Sequence, residues 1–220
     1  LGQPTHCFDT SKLNGQISFT SKNCDGPFTT LLDSNIKLKG DNCVFLNSNE
    51  VISLAGVMGG KSTACSKDTK KVLIECAYFN PESIIGKSIQ YNLHSDAAHK
   101  FERGVDINSH EIVLRRFIKI VEQHVKIKSC KIASYDSKVI SNKELPINLD
   151  KVNAILGTTI SSDVFKNILE KLGFNITSKI EVPSYRSDII SQNDLAEEIA
   201  RVVGYNNIPS QTIAIPRIEK

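Results

Sequence analysis

Leu54-Ala55-Gly56-Val57-Met58-Gly59-Gly60, Ile74-Glu75-Cys76-Ala77-Tyr78-Phe79-Asn80-Pro81, His94-Ser95-Asp96-Ala97 and Phe101-Glu102-Arg103-Gly104-Val105-Asp106 follow one another in a single short span of the chain. Glycines recur there at the density expected where backbone must pass close to something else. Glu75 stands inside an apolar run, where a carboxylate must be paired, protonated or offered to a ligand. The run 71–76 reads as a short strand that stops before Asn80-Pro81, a helix start with Asn as cap and Pro at the first helical position.

Outward from this span, the first third of the chain alternates β-prone runs with the turns Asn14-Gly15, Asp25-Gly26-Pro27 and Lys39-Gly40-Asp41-Asn42. Beyond it, Asn108 with Glu111 reads as a capping box for a helix running to about His124, with Val113, Leu114, Phe117, Ile118 and Val121 as its stripe. Lys128 to Leu145 is expected to hold another strand or two, and the polar Ser141-Asn142-Lys143-Glu144 to mark a domain boundary. From Pro146 the grammar turns helical. Asp150–Leu156 forms a helix closed by Gly157, Ser162 caps a longer one closed by Gly173, and Asn193 caps a third closed by Gly204. A strand pair is expected around Ser178-Lys179. The expectation is an α+β chain with one domain over residues 1–145 and a second, small helical module over 146–220.

With 220 residues, 40% hydrophobic and 23% charged, the chain has the composition of one or two globular domains. No window approaches the roughly 18 uninterrupted apolar residues of a membrane helix, and Leu1-Gly2-Gln3-Pro4 lacks a signal-peptide pattern. The start at Leu1, inside a turn-like sequence, suggests a piece of a longer polypeptide. Six scattered cysteines with no C-x-x-C pair argue against structural zinc and for a reducing, cytoplasmic setting. The net charge of +3 is uneven: residues 146–220 hold 8 Lys or Arg against 9 Asp or Glu, and the remainder 19 against 15. Lys100, Arg103, Arg115, Arg116 and Lys119 fall along one segment, which permits a phosphate-bearing partner without requiring one.

Three groups of residues carry chemistry. Asp194, Glu197 and Glu198 share a helix face, and Asp188 precedes them; such carboxylates suit magnesium, or simply a solvated helix start. Glu75 is either a ligand-facing acid or an outward strand residue. His6 and His94 are lone histidines, structural by default, and the adjacent His94-Ser95 is a poor catalytic pair. Gly60-Lys61-Ser62 is not a phosphate loop, since Ala55 stands where its first glycine is required.

Taken in order, the motifs from Leu1-Gly2-Gln3-Pro4, His6 and Phe8-Asp9 through Phe101–Asp106 resemble the B3/B4 editing domain of the bacterial phenylalanyl-tRNA synthetase β-subunit family. Tyr185-Arg186-Ser187-Asp188-Ile189, Asp194-Leu195, Glu197–Arg201 and Gly204–Pro209 resemble its winged-helix-like B5 domain. The resemblance implies an α2β2 heterotetramer that charges tRNA(Phe), with ATP and the aminoacylation site handled outside this segment. The segment's own task would be hydrolysis of tyrosine wrongly esterified to tRNA(Phe). A hydrophobic pocket for phenylalanine rejects an added hydroxyl weakly, so a second site must recognise that hydroxyl. Matched residue by residue, Glu75 would accept the tyrosine hydroxyl, Ala55 and Gly56 would form pocket backbone, and His6, Ser95 and Ala97 would lie near the ester and the terminal adenosine, with backbone and His6 positioning the water. Asp188, Asp194, Glu197 and Glu198 would hold magnesium shared with the α subunit. Ser95 stands where the family has Thr, Cys7 where it has Ala, Ser187 where it has Pro and Gln192 where it has Glu. The alternative is a non-catalytic tRNA-binding or assembly module.

Overall fold

A computed structural model describes residues 2–135 and 141–210, and the chain divides into two compact units, Leu1–Ser134 and Tyr135–Lys220. Leu1 of the opening motif lies outside the described residues. Both units are α+β. Among the described residues no helix is long and apolar enough to cross a membrane.

The first unit opens with β1 (His6–Asp9), β2 (Ile17–Thr20), β3 (Gly26–Thr29), β4 (Asn35–Leu38), β5 (Val44–Asn47), β6 (Glu50–Leu54), β7 (Met58–Gly59) and β8 (Val72–Glu75). They form an antiparallel sheet in the order β2-β5-β6-β7, a β3-β4 hairpin and a β1-β8 ribbon. The hairpin is joined to the sheet by a bridge between Thr30 and Gly60. The β1-β8 ribbon pairs His6 with Glu75 and Phe8 with Leu73. The expected strand at residues 71–76 is therefore present, one residue shorter at each end.

Four helices follow: α1 (Pro81–Ile84), α2 (Lys87–Tyr91), α3 (Asp96–Glu102) and α4 (His110–Glu122). Asn80 caps α1 by accepting from the Glu82 N–H, with Pro81 at the first helical position, as its sequence dictates. At α4 the capping box is absent. Asn108 is spent in a turn closed by Asp106 Oδ1 at 2.9 Å, Ser109 precedes the helix, and Glu111 bonds Arg115 one turn on. The unit's core gathers Phe28, Leu38, Val44, Leu54, Phe79 and Phe101, all nearly inaccessible. Phe79 and Phe101 meet edge to face at 5.0 Å, so the chain just after Glu75 is anchored in that core.

The second unit holds β9 (Glu144–Pro146), α5 (Leu149–Leu156), α6 (Ser162–Lys171), β10 (Asn175–Ile176), β11 (Lys179–Glu181) and α7 (Gln192–Val203). Its sheet runs β10-β11-β9, antiparallel throughout. Between 128 and 145 the described residues contain β9 alone; residues 136–140 of that expectation lie outside them. Each helix starts one or two residues earlier than expected. Asn148 accepts from Lys151 N–H, Ser161 from Val164 N–H, and Ser191 replaces Asn193. The reason is local conformation: Ser191 has the extended backbone a cap needs, and Asp194 completes a capping box that Asn193, inside the first turn, cannot make. Gly157, at φ +64°, closes α5 in the left-handed conformation that favours glycine.

Because Ser191 and not Asn193 is the cap, Ser191→Ala should destabilise the second unit by about 1 kcal/mol. Asn193→Ala should change it by under roughly half of that. Urea unfolding followed by circular dichroism checks both, and an equal loss from the two substitutions would contradict the assignment.

Candidate functional site

Opposed residues on an antiparallel pair project from the same face, so the register of the β1-β8 ribbon places the His6 and Glu75 side chains side by side. Glu75 has no cationic partner, and burial pushes its carboxyl up to about 7. Burial also lowers the basicity of His6, which favours neutral imidazole. Its ring packs edge-on against Phe8 at 4.5 Å, and its Nε2 is buried with no hydrogen-bond partner. Close by, the Gln3 amide donates to the carbonyls of Ala77 (2.8 Å) and Pro4 (3.1 Å), leaving its Oε1 buried and unpartnered.

The glycine turn between β6 and β7 forms the wall next to His6. Val57 N–H donates to Leu54 C=O at 3.0 Å, with Gly56 at φ +73°. A Cβ on Gly56 would meet Ile84 Cδ1 at 2.9 Å and Phe79 Cδ2 at 3.1 Å. A Cβ on Gly59 would fall 2.2 Å from His6 Cε1, so only glycine lets the imidazole lie against this strand. The close approach expected of the glycine-rich span is realised at Gly59, although the sequence did not point to His6 as its neighbour.

Of the remaining expected pocket residues, Ala55 is wholly buried and donates its N–H to Cys43 C=O at 2.8 Å. Ala97 is half-buried against the same core. Ser95 caps α3, its Oγ accepting from Ala98 N–H at 3.1 Å while donating to Val57 C=O at 2.6 Å. The structure thus brings His6, Glu75 and Gly59 together as one group. Ala55, Gly56, Ser95 and Ala97 form the packing behind the glycine turn. His94 is exposed.

The four carboxylates of the second unit do not make a magnesium cage. Arg186 forks onto Asp188, Nε to Oδ1 at 2.9 Å and Nη2 to Oδ2 at 2.6 Å, and reaches Glu198 Oε1 at 2.8 Å. Arg201 takes the other oxygen of Glu198. The Asp194 carboxylate accepts from Ile190 N–H (2.9 Å), Ser191 N–H (2.7 Å) and Ser191 Oγ. Glu197 points to solvent, whereas Glu198 is buried beside Leu195 and Ile199 and not on the polar face expected for it. The Arg186 guanidinium holds Asp188 and Glu198 well below the usual carboxylate range, and the Ile190 backbone does the same for Asp194. Among the described residues no group of three or more His, Cys, Asp or Glu side chains is placed to hold a metal.

Comparison with known proteins agrees with this two-part organisation. The family model described as B3/4 domain matches residues 1–126, and that described as tRNA synthetase B5 domain matches residues 145–205. A phenylalanine–tRNA ligase beta subunit from Pectobacterium atrosepticum is 33% identical over 99% of this chain, and one from Acinetobacter baylyi 32% identical over 100%. The chain spans 28% of the length of these curated relatives. A solved N-terminal fragment of the phenylalanyl-tRNA synthetase beta subunit from Pyrococcus horikoshii aligns over 92% of this chain and 59% of its own, with 16% identity and a TM-score of 0.45.

Two predictions follow from the carboxylates. A carboxyl whose folded pKa exceeds its unfolded value of 4.5 binds protons more tightly when folded, so stability falls as pH rises from about 4.5 to about 7 and is flat above. Glu75→Gln should therefore leave stability unchanged at pH 4 and raise it by up to about 3 kcal/mol at pH 8; a variant no more stable than the parent at pH 8 contradicts the burial. Arg186→Met should cost roughly 1–3 kcal/mol by removing one of the two arginines on buried Glu198, while millimolar magnesium leaves the melting temperature of the parent unmoved. A magnesium-dependent rise in the parent would restore the metal reading.

Proposed function

Since the chain belongs to the B3/4 domain family and, with the B5 domain behind it, is a segment of the phenylalanine–tRNA ligase β-subunit type, we propose that it hydrolyses tyrosine wrongly esterified to tRNA(Phe). The observation that carries this reading is Glu75, a buried carboxyl without a cation beside a histidine whose Nε2 has no partner. A tyrosine hydroxyl would donate to the Glu75 carboxyl, which has no side-chain partner among the described residues; phenylalanine would displace its water without replacing that bond, which is how one hydroxyl becomes a strong discriminator.

In this reading water is the nucleophile. Neutral His6, with its proton on Nδ1, accepts a proton from that water at Nε2 as the oxygen attacks the ester carbonyl. The ester C–O bond then breaks, the ribose oxygen takes up the proton, and tyrosine and free tRNA leave. Ala55 and Gly56 shape the backbone of the pocket, and Ser95 with Ala97 holds its rear. The division into an editing module over residues 1–145 and a B5-type module over 146–220 belongs to the same proposal, as does assembly with an α subunit into an α2β2 enzyme that performs aminoacylation elsewhere. No step is assigned to magnesium; to hold it together with an α subunit, Asp188 and Glu198 would exchange their arginine partners for the ion.

The test is release of labelled tyrosine from mischarged tRNA(Phe) by the full-length gene product assembled with its α subunit. Glu75→Ala should slow release by about 10- to 100-fold with phenylalanine charging unchanged. Release at the parental rate would sink the assignment. Binding of tRNA without turnover by the parent would move the segment to the role of a tRNA-binding module, for which exposed Lys100, Arg103, Arg116 and Lys119 supply the charge.

A further inference from the structure

The second unit carries a cleft of about 250 Å³ lined by Asn142, Asn175, Glu181, Pro183 and Tyr185. Val182 N–H donates to Lys143 C=O at 2.8 Å, which lays Asn142 beside the end of β11. There Asn142 Nδ2 donates to Glu181 Oε1 at 2.8 Å, and Asn175 Nδ2, from β10, donates to Glu181 Oε2 at 3.0 Å. These two bonds hold the Glu181 carboxyl below the usual carboxylate range, so it is ionised at neutral pH. Amides stabilise the anion without cancelling its charge. The nearby cations are engaged elsewhere, Lys179 with Glu144 and Arg186 with Asp188 and Glu198, and among the described residues none pairs with Glu181. Tyr185 forms the side of the cleft. Its hydroxyl donates to Leu172 C=O at 3.1 Å, and a Cβ on Gly173 would fall 2.3 Å from that oxygen. Glycine, here at φ +91°, lets the phenol tip dock, while Tyr185 stays 56% exposed.

We propose that this cleft receives the guanidinium of an arginine side chain presented by a partner polypeptide. Glu181 supplies a full negative charge and Tyr185 an aromatic ring. A carboxylate only accepts, so each asparagine must spend its Nδ2 on Glu181 and keeps its Oδ1 as an acceptor. A guanidinium answers all three features, being a planar, weakly hydrated cation with five N–H donors that stacks on aromatic rings. An ammonium is a compact, strongly hydrated charge and answers chiefly the first. The cleft is also smaller than the roughly 300–1,000 Å³ of sites that enclose a whole small molecule, which suits one side chain inserted from a neighbouring surface. Phosphates are disfavoured, because Glu144 stands directly opposite Glu181 in the sheet and makes this rim acidic. The site lies wholly within the second unit and is independent of the ester-hydrolysis reading.

The experiment is a nitrogen-15 NMR titration of the 220-residue chain, read at the side-chain amides of Asn142 and Asn175. The probe is N-acetyl-L-arginine methylamide, whose backbone is uncharged, with the matching citrulline and lysine compounds beside it. We expect the arginine probe to shift both amides saturably, with a dissociation constant on the order of millimolar. The citrulline compound, planar but neutral, should bind at least about tenfold more weakly, and the lysine compound several-fold more weakly. Glu181→Gln should weaken the arginine probe about tenfold, and Tyr185→Leu, which keeps bulk but removes the ring, about fivefold. Should Glu181→Gln disturb backbone amides outside the cleft, Tyr185→Leu carries the comparison alone. No saturable shift, equal binding of the citrulline compound, or no loss in the variants overturns the proposal. Free L-arginine binding about tenfold more tightly than the blocked probe overturns the polypeptide as its source and assigns the cleft to the amino acid. An RNA oligonucleotide that shifts these amides where the arginine probe does not overturns it in favour of nucleic acid.

Discussion

A carboxyl buried without a counter-charge is the constraint around which the first unit is arranged. Transfer of an unpaired carboxylate out of water is expensive enough that the group shifts toward its neutral form instead, and Glu75 does so. Its neighbours leave that cost in place. His6 is its register partner, yet burial lowers the basicity of the imidazole, and no ion pair joins the two among the described residues. The core on either side is aromatic, with Phe8 against His6 and Phe79 a few residues beyond Glu75. A protein selected only for stability would have replaced Glu75 with an apolar residue.

The second unit buries a carboxylate in the opposite way. Glu198 is 5% exposed and bonded by two arginines, one of which also forks onto Asp188. Here the charge is kept and balanced, and the result joins the Pro183–Ser191 connection to α7. The four acidic positions thus divide into an ion-pair network, a helix cap and a solvated side chain. Spacing along a helix could not distinguish these outcomes, because the deciding residue, Arg186, lies outside the helix and competes for the same oxygens.

Much of the architecture was legible because it depends on short-range physics. Asn80-Pro81 could only start a helix, Gly157 could only end one, and the apolar run before Glu75 could only be a strand. What stayed hidden depended on choosing among near-equivalent neighbours. Ser191 and Asn193 are both good caps, and only backbone conformation selects between them. At the site, Glu75 was conspicuous as a polar residue in an apolar run, and the resemblance supplied His6. Close backbone approach was legible at the Gly56–Gly60 turn, but the partner it admits was not, since the contact of Gly59 with His6 joins strands far apart in sequence.

A hydroxyl has one proton, and the Ser95 proton is already committed to the Val57 carbonyl at 2.6 Å. One lone pair is committed as well, to the first turn of α3. The oxygen beside the glycine turn can therefore accept one further bond but cannot donate one, and no base is placed to strip it into an alkoxide. Ser95 is thereby excluded as an attacking group in this arrangement, and an ester carbonyl lying near it would have to draw its hydrogen bonds from backbone amides. The same two bonds tie the glycine turn to the start of α3 through one oxygen.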